Sequence, residues 1–446
     1  MKIDLEKMII KGKNKLTGTI SVSGSKNVAL KAIVAACLTS EEVTIENIPL
    51  ITDFRIMAEI VEELGGKVKI NDHSITLRIK EIKTNKITLS KAAEIRTSFM
   101  FLAPLLARKG KAIIPNPGGC RIGARPIDRI IKGLLRMGTV VDYDSEDGYF
   151  HASLSSPKFK GTRYVFSKNT HTGTETMLLA AVLAEGTTVL RNAAEEPEVD
   201  ELIAFLNKMG AQIKRTDRRV ITIHGVKKLH GTTFKIGFDR NEIVTFAIAA
   251  VLTEGDIFIK GISRVGLEEF LSKLDEAGGG CEEKENGIRF FYKGKLKAVK
   301  VITSFYPGFM TDWQGPWTVL MTKANGTSVI HEAVYENRFT YAEELNKMGA
   351  KLKLFNPKLE DPEDFYNFNI HDDNGYFHAA KIYGPVKLHN AVLNVSDLRA
   401  GATLVLAALA ARGESIIFGL EHLDRGYEDF VLRLRDLGAS IRRITE

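Results

Sequence analysis

The chain has 446 residues, of which 44% are hydrophobic and 26% charged, and its formal net charge is +7. This is a globular composition with enough apolar material for more than one core, and the length points to two or three domains. The longest apolar runs, such as Val244 to Leu252 and Leu404 to Ala411, are too short to span a bilayer, and the three cysteines, Cys37, Cys120 and Cys281, form neither a disulfide framework nor a zinc site.

From the N-terminus, Met1 to Lys7 is charged and lacks the apolar stretch of a signal peptide. The expectation is a cytoplasmic protein with no membrane partner. Basic residues are scattered along the whole chain, with no arginine-rich tract, so no nucleic-acid partner is expected. Anionic small ligands account for the charge as well. Ser23-Gly24-Ser25-Lys26-Asn27 is a polar loop ahead of an Ala/Leu-rich helix that carries Cys37, read as inert core. A helix ending at Leu64-Gly65 follows. The alternation of Lys67-Val68-Lys69-Ile70 then reads as a half-buried strand.

That ending recurs at Met137-Gly138, Met209-Gly210, Ala277-Gly278, Met348-Gly349 and Leu437-Gly438, with steps of 73, 72, 68, 71 and 89 residues. The glycine suits the left-handed residue that closes a helix. Six units of strand, loop, helix, strand, helix, strand are therefore expected, each about 70 residues and obliged to stack on its neighbours. The long fifth step has a local cause, a polar and aromatic insertion from Phe355 to His378. Cys281 follows a glycine triplet at a helix-to-strand turn and reads as structural or incidental.

Each unit opens on a polar loop before its first helix. The loops are Ser23 to Asn27, Glu94 to Thr97, Lys168 to Gly173, Asp239 to Glu242, Phe309 to Gln314 and Ser396 to Arg399. Free N–H groups and the macrodipole at a helix N-terminus attract anions. Asp, Ser and Thr at such places are explained by capping alone. The cations are not, since the macrodipole disfavours them there. Between units one and three lies Pro117 to Pro126 (PGGCRIGARP), where Cys120 sits among glycines and arginines that favour an exposed thiolate.

Eight segments in order carry a resemblance that runs nearly end to end. They are Gly24 to Asn27, Pro117 to Asp128, Ala184 to Thr188, Arg191 to Pro197, Tyr306 to Phe309 with Thr311-Asp312, Glu336 to Phe339, Asp397 to Ala400 and Asp424 to Tyr427. With these the chain resembles the UDP-N-acetylglucosamine 1-carboxyvinyltransferases, the enolpyruvyl transferases of peptidoglycan synthesis. The related 5-enolpyruvylshikimate-3-phosphate synthases lack the cysteine loop. The resemblance implies an α/β fold, a two-domain inside-out α/β barrel of three βαβαββ repeats per domain. It divides the chain into residues 1–25 plus 236–446 and residues 26–235, with the active site in the cleft between them. It implies enolpyruvyl transfer from phosphoenolpyruvate to UDP-N-acetylglucosamine, with no metal or organic cofactor. The oligomeric expectation is a monomer or weak homo-oligomer.

Roles follow position by position. Lys26, Asn27, Arg125, Arg399 and Arg425 match residues that hold phosphoenolpyruvate. Asp312 matches the carboxylate beside the sugar 3′-hydroxyl, and Cys120 the acid that protonates C3. Lys26, Asp312, Cys120 and Arg399 make up the expected catalytic set. Arg96, Arg125, Pro126, Ile127, Asp128, Arg129, Lys168, Asn169, Thr170, His171, Asp312 and Val334 match contacts to the UDP-sugar, and Arg338 is a cation just behind them. The chain departs from the family at Thr170 to Thr174, where His171 replaces a small apolar residue, and at Trp313 to Pro316. The same chemistry on another UDP-sugar, or a non-catalytic sugar-nucleotide binder, therefore remains open.

Overall fold

A computed structural model describes residues 6–118, 127–371 and 375–445. They fall into two compact units, residues 6–22 with 239–445 and residues 23–118 with 127–238. Among the described residues each unit holds three small sheets; five of the six are mixed and have four strands, and one has three antiparallel strands.

The fifth repeat shows the plan. Lys300–Ile302 runs parallel to Gly326–His331, which pairs antiparallel with Ala379–Gly384, which in turn pairs antiparallel with Leu352–Phe355. The helix Gln314–Met321 makes the crossover between the two parallel strands, and the helix Ala342–Lys347 leads to the edge strand. Parallel strands need such a connection. The third repeat has the same order. In the first, fourth and sixth repeats, distant strands complete the sheet. Thr17–Ile20 runs parallel to Asp256–Lys260, and Glu6–Lys11 lies between Glu414–Phe418 and Ser440–Thr445. Thr233–Lys235 runs parallel to Val43–Glu46 in the same way.

All six glycines of the repeat take a left-handed backbone, with φ from 83° at Gly278 to 99° at Gly438. This is the conformation the spacing called for. The first helices of the fourth and sixth repeats are buried all round. Every residue of Arg240–Leu252 and of Leu398–Ala410 is buried. A helix with no solvent face is surrounded by other elements. In the first unit these two and Gln314–Met321 pack on one another, and the strands bury one face against them. Hydroxyls on such helices need partners, and they find them one turn back. Thr245, Thr318 and Thr403 each donate to the carbonyl four residues earlier, at 2.7 to 2.9 Å.

Two helix starts differ from the expectation. In the second repeat Arg96–Phe101 is a 3-10 helix that becomes α-helical only at Leu102. In the fifth, Thr311–Trp313 is a 3-10 turn ahead of Gln314. Each α-helix carries a proline two residues from its start, Pro104 and Pro316. Proline has no N–H and its ring crowds the preceding turn, so a regular α-helix begins just before it and no earlier. The second repeat also replaces its first strand by a helix, Leu89–Glu94, and keeps one parallel bridge, Lys86 to Ile113.

Candidate active site

In the first unit the site is built around Asp312, which the 3-10 turn Thr311–Trp313 presents. Its Oδ1 accepts from an Arg338 Nη at 3.0 Å and its Oδ2 from an Arg399 Nη at 3.2 Å. Both arginines are buried, at 7% and 8% exposure, so one carboxylate faces two desolvated cations. Burial works against both guanidinium charges. Burial is the largest single influence, but Asp312 acting with Asp397 and Glu332 on Arg338, and with Tyr427 and Asp239 on Arg399, holds both arginines above their ordinary range.

Each arginine is fixed from behind. Arg338 Nε donates to the Thr311 hydroxyl at 3.1 Å and an Nη to the Thr311 carbonyl at 3.0 Å. That hydroxyl donates to Oε2 of the fully buried Glu332 at 2.8 Å, and Glu332 Oε1 accepts the N–H groups of Val334 and Tyr335. Arg399 sits in the first turn of Leu398–Ala410, where the macrodipole disfavours it. Asp397 caps that helix and takes the N–H groups of Arg399 and Ala400 at 2.9 and 3.1 Å. Arg399 also donates to the Tyr427 hydroxyl at 3.2 Å, which meets Thr245 at 2.8 Å. Arg425 is half-buried after the short helix Leu420–Asp424, and Asp424 is gripped by Arg443 at 2.6 and 2.8 Å.

The second unit gathers a separate group. Lys26, at the start of the helix Lys26–Ala36, is buried, and its Nζ lies 2.7 Å from Asp53. Asn27 and Arg96 are half-buried, and the 3-10 helix that Arg96 opens packs on Lys26–Ala36. Ile127 precedes the helix Asp128–Arg136, and Arg129 Nη1 donates to the Asn169 carbonyl at 3.2 Å. This joins the stretch 127–129 to the loop 168–171. Asp128 pairs with Lys132 one turn on, at 3.3 Å. Lys168 is half-buried, and the Asn169 amide donates to the Ala193 carbonyl. Thr170 caps the helix His171–Ala181 by accepting the Gly173 N–H at 3.1 Å.

His171 has a specific partner. Its Nε2 is 3.1 Å from Oε1 of Glu175, a wholly buried carboxylate that also lies 3.4 Å from Lys31. Burial, the largest influence, lowers the His171 pKa, but the charge and hydrogen bond of Glu175 together with the charge of Glu196 turn the net direction up. Cys120, Arg121, Arg125 and Pro126 lie outside the described residues. The stem before them is pinned: Gly118 donates to the Ala92 carbonyl, and a Cβ there would meet the Ala93 carbonyl oxygen at 2.0 Å. Cys37 is buried, and burial pushes its thiol up to about 12. Asp53, Glu175, Glu332 and Tyr427 escaped the sequence reading as supports of the site. Tyr427 lies inside a quoted motif; the other three had no motif to mark them. Among the described residues one group has metal-ligand spacing, Asp144, Asp147 and His151 on a hairpin turn, where both carboxylates already accept turn N–H groups. No described helix is long and apolar enough to cross a membrane.

The family model of EPSP synthase (3-phosphoshikimate 1-carboxyvinyltransferase) matches residues 10–434. The enolpyruvyl transferase NikO from Streptomyces tendae superposes with a TM-score of 0.86 at 25% identity, covering 99% of this chain and 100% of that one. An EPSP synthase from Acinetobacter baumannii shares the fold, with a TM-score of 0.72 at 18% identity over 99% of this chain and 100% of that one. Fold and matched family thus define a two-domain α/β enolpyruvyl transferase, an enzyme class. The UDP-N-acetylglucosamine 1-carboxyvinyltransferase of Acidobacterium capsulatum is 40% identical over 99% of this chain and 96% of its own length. Enzyme 2 of that name from Carboxydothermus hydrogenoformans is 39% identical over 99% of this chain and all of its own. The chain belongs to the UDP-N-acetylglucosamine 1-carboxyvinyltransferase family.

Proposed function

We propose that the chain transfers the enolpyruvyl group of phosphoenolpyruvate to the 3′-hydroxyl of UDP-N-acetylglucosamine and releases phosphate. The observation that carries the reading is Asp312 held between the buried Arg338 and Arg399. Asp312 takes the proton of the acceptor hydroxyl, whose oxygen then attacks C2 of the enolpyruvyl group. C3 gains a proton in that step, and the sequence motif assigns its delivery to Cys120. Loss of a C3 proton and cleavage of the C2–O bond to phosphorus then expel phosphate and restore the double bond. Lys26, Asn27, Arg125, Arg399 and Arg425 hold the donor's phosphate and carboxylate. Each charge-assisted hydrogen bond contributes about 1.5–3 kcal/mol, and the cations stabilise the departing phosphate as well. Arg96, Arg125 to Arg129, Lys168 to His171 and Val334 line the acceptor. The two site groups belong to different units, so the reading requires the substrates to lie between them. Both substrates are membrane-impermeant anions, which places the reaction in the cytoplasm.

A phosphate-release assay on a panel of UDP-sugars tests this. Phosphate should appear only when phosphoenolpyruvate and UDP-N-acetylglucosamine are both present. No release with that pair at micromolar enzyme would overturn the reading. Release with a different UDP-sugar alone would keep the chemistry and move the acceptor, a second reading that the His171–Glu175 pair favours.

A further inference from the structure

The segment 355–378 lengthens the fifth repeat. Its described residues, 355–371 and 375–378, contain one short helix, Pro362–Phe365, capped by the Asp361 carboxylate, which accepts the Asp364 N–H at 3.1 Å. The segment is anchored rather than loose. Tyr366 and Phe368 are buried and form, with Ala333, an apolar cluster separate from the main core. Three hydrogen bonds join it to the end of the strand Gly326–His331 and the chain just beyond. The Asn367 N–H donates to the Ala333 carbonyl at 2.9 Å, and the Glu332 N–H to the His378 carbonyl at 2.8 Å. The Tyr366 hydroxyl meets His331 Nε2 at 2.9 Å, while the Phe365 ring stacks on His331 at 4.7 Å between centroids. Burial, helped by His378, pushes His331 down to about 4, and burial pushes Tyr366 up to about 12. Both rings are thus neutral at physiological pH, and the bond between them persists there.

The residues gripped in this way are 331–333, immediately before Val334. We infer that residues 362–371 of the segment, with His378, are a positioning element for the acceptor: through Tyr366, Phe365 and Asn367 they fix the backbone of residues 331–333, and with it Val334, against the UDP-sugar. The inference rests on the proposed function, which puts Val334 among the residues that line the acceptor. A stretch already ordered in the free protein loses little freedom on binding, so the acceptor binds more tightly. Asp312 is held by a different set. Glu332 reaches it through Thr311 and Arg338 with its side chain, and the segment's bond to Glu332 is made to the backbone N–H by His378, not by Tyr366, whose hydroxyl goes to His331. The segment therefore acts on acceptor affinity and leaves the chemical step alone.

The experiment compares wild type with Tyr366→Phe and Tyr366→Ala. UDP-N-acetylglucosamine binding is measured by calorimetry without phosphoenolpyruvate, and steady-state constants for both substrates are measured alongside. Removing the hydroxyl should weaken acceptor binding about fivefold, and removing the ring should weaken it further. KM for the acceptor should rise in step, with kcat and KM for phosphoenolpyruvate within about twofold of wild type. Variants that bind the acceptor as wild type does and lose only thermal stability overturn the inference. So does a fall in kcat at unchanged acceptor KM. If Tyr366→Ala fails to fold, the Phe variant, which keeps the ring, decides alone. Failure of wild type itself to bind UDP-N-acetylglucosamine would sink the acceptor reading and the inference with it. A wild type that binds, with variants that bind equally, sinks the inference only.

Discussion

Asp312 draws one arginine from its own repeat and one from the next, and neither guanidinium has a water-exposed alternative. That arrangement fixes the carboxylate's charge and its direction together. Asp312→Asn keeps the shape and removes the base. We expect kcat to fall by about 10²–10⁴-fold, the usual contribution of a positioned general base, with KM for phosphoenolpyruvate little changed. Full activity in steady-state assays would remove Asp312 from the chemistry. At this scale the sequence was legible where a residue sits in a dense motif. Asp312, Arg399 and Lys26 were singled out, and the structure finds each buried or half-buried against an opposite charge. Arg338, read as a cation just behind the substrate contacts, lies against Asp312. The carboxylates behind these cations, Asp53 and Glu332, were not legible. Asp53 meets Lys26 across more than 20 residues, and Glu332 supports Arg338 only through the Thr311 hydroxyl, 21 residues back, so packing and not spacing decides these contacts.

At the scale of elements, the repeat glycines carried most of the information. A helix that must stop and turn back into an edge strand needs one residue with positive φ, and glycine takes it without Cβ strain. Gly438 isolates this effect: it has φ 99°, and the nearest atom to a Cβ built there is the Lys15 carbonyl oxygen at 3.5 Å. Gly438→Ala should therefore cost about 1 kcal/mol from backbone strain alone. A lower denaturation midpoint with unchanged kcat is the expected result; an unchanged midpoint would show that the helix end relaxes freely. Helix starts were harder to place. Capping residues mark an N-terminus, but the 3-10 openings at Arg96 and Thr311 depend on a proline further inside the helix. The insertion at 355–378 was visible as a break in the period. Its role was not, because the surface it covers, Ala333 and His331, belongs to another strand connection.

Across the whole molecule, periodicity revealed six units but not how their sheets close. Thr17–Ile20 completes a sheet with Asp256–Lys260, and Glu6–Lys11 sits between strands near the opposite terminus. Partners more than 230 residues apart leave no local pattern, so only the family resemblance pointed to them. The ionisable groups divide along a similar line, and this sets how stability varies with pH. Glu6, Asp256 and Glu282 are held below their ordinary values by Arg443, Arg289 and Lys284, so their contribution is present above the normal carboxylate range and is lost as pH falls below it. Glu201 has the opposite sign. Burial raises its carboxyl from 4.5 to about 7, although it accepts the Gly237 N–H. Its contribution is complete below pH 4.5 and is lost as pH rises through 7, because the folded state must then ionise a half-buried acid. Glu201→Gln retains an oxygen for Gly237 and cannot ionise. Its melting temperature should therefore match wild type near pH 4.5, exceed it progressively between pH 5 and 8, and run parallel above that. Melting curves that stay parallel across the whole range would mean that Glu201 titrates as an ordinary exposed carboxylate.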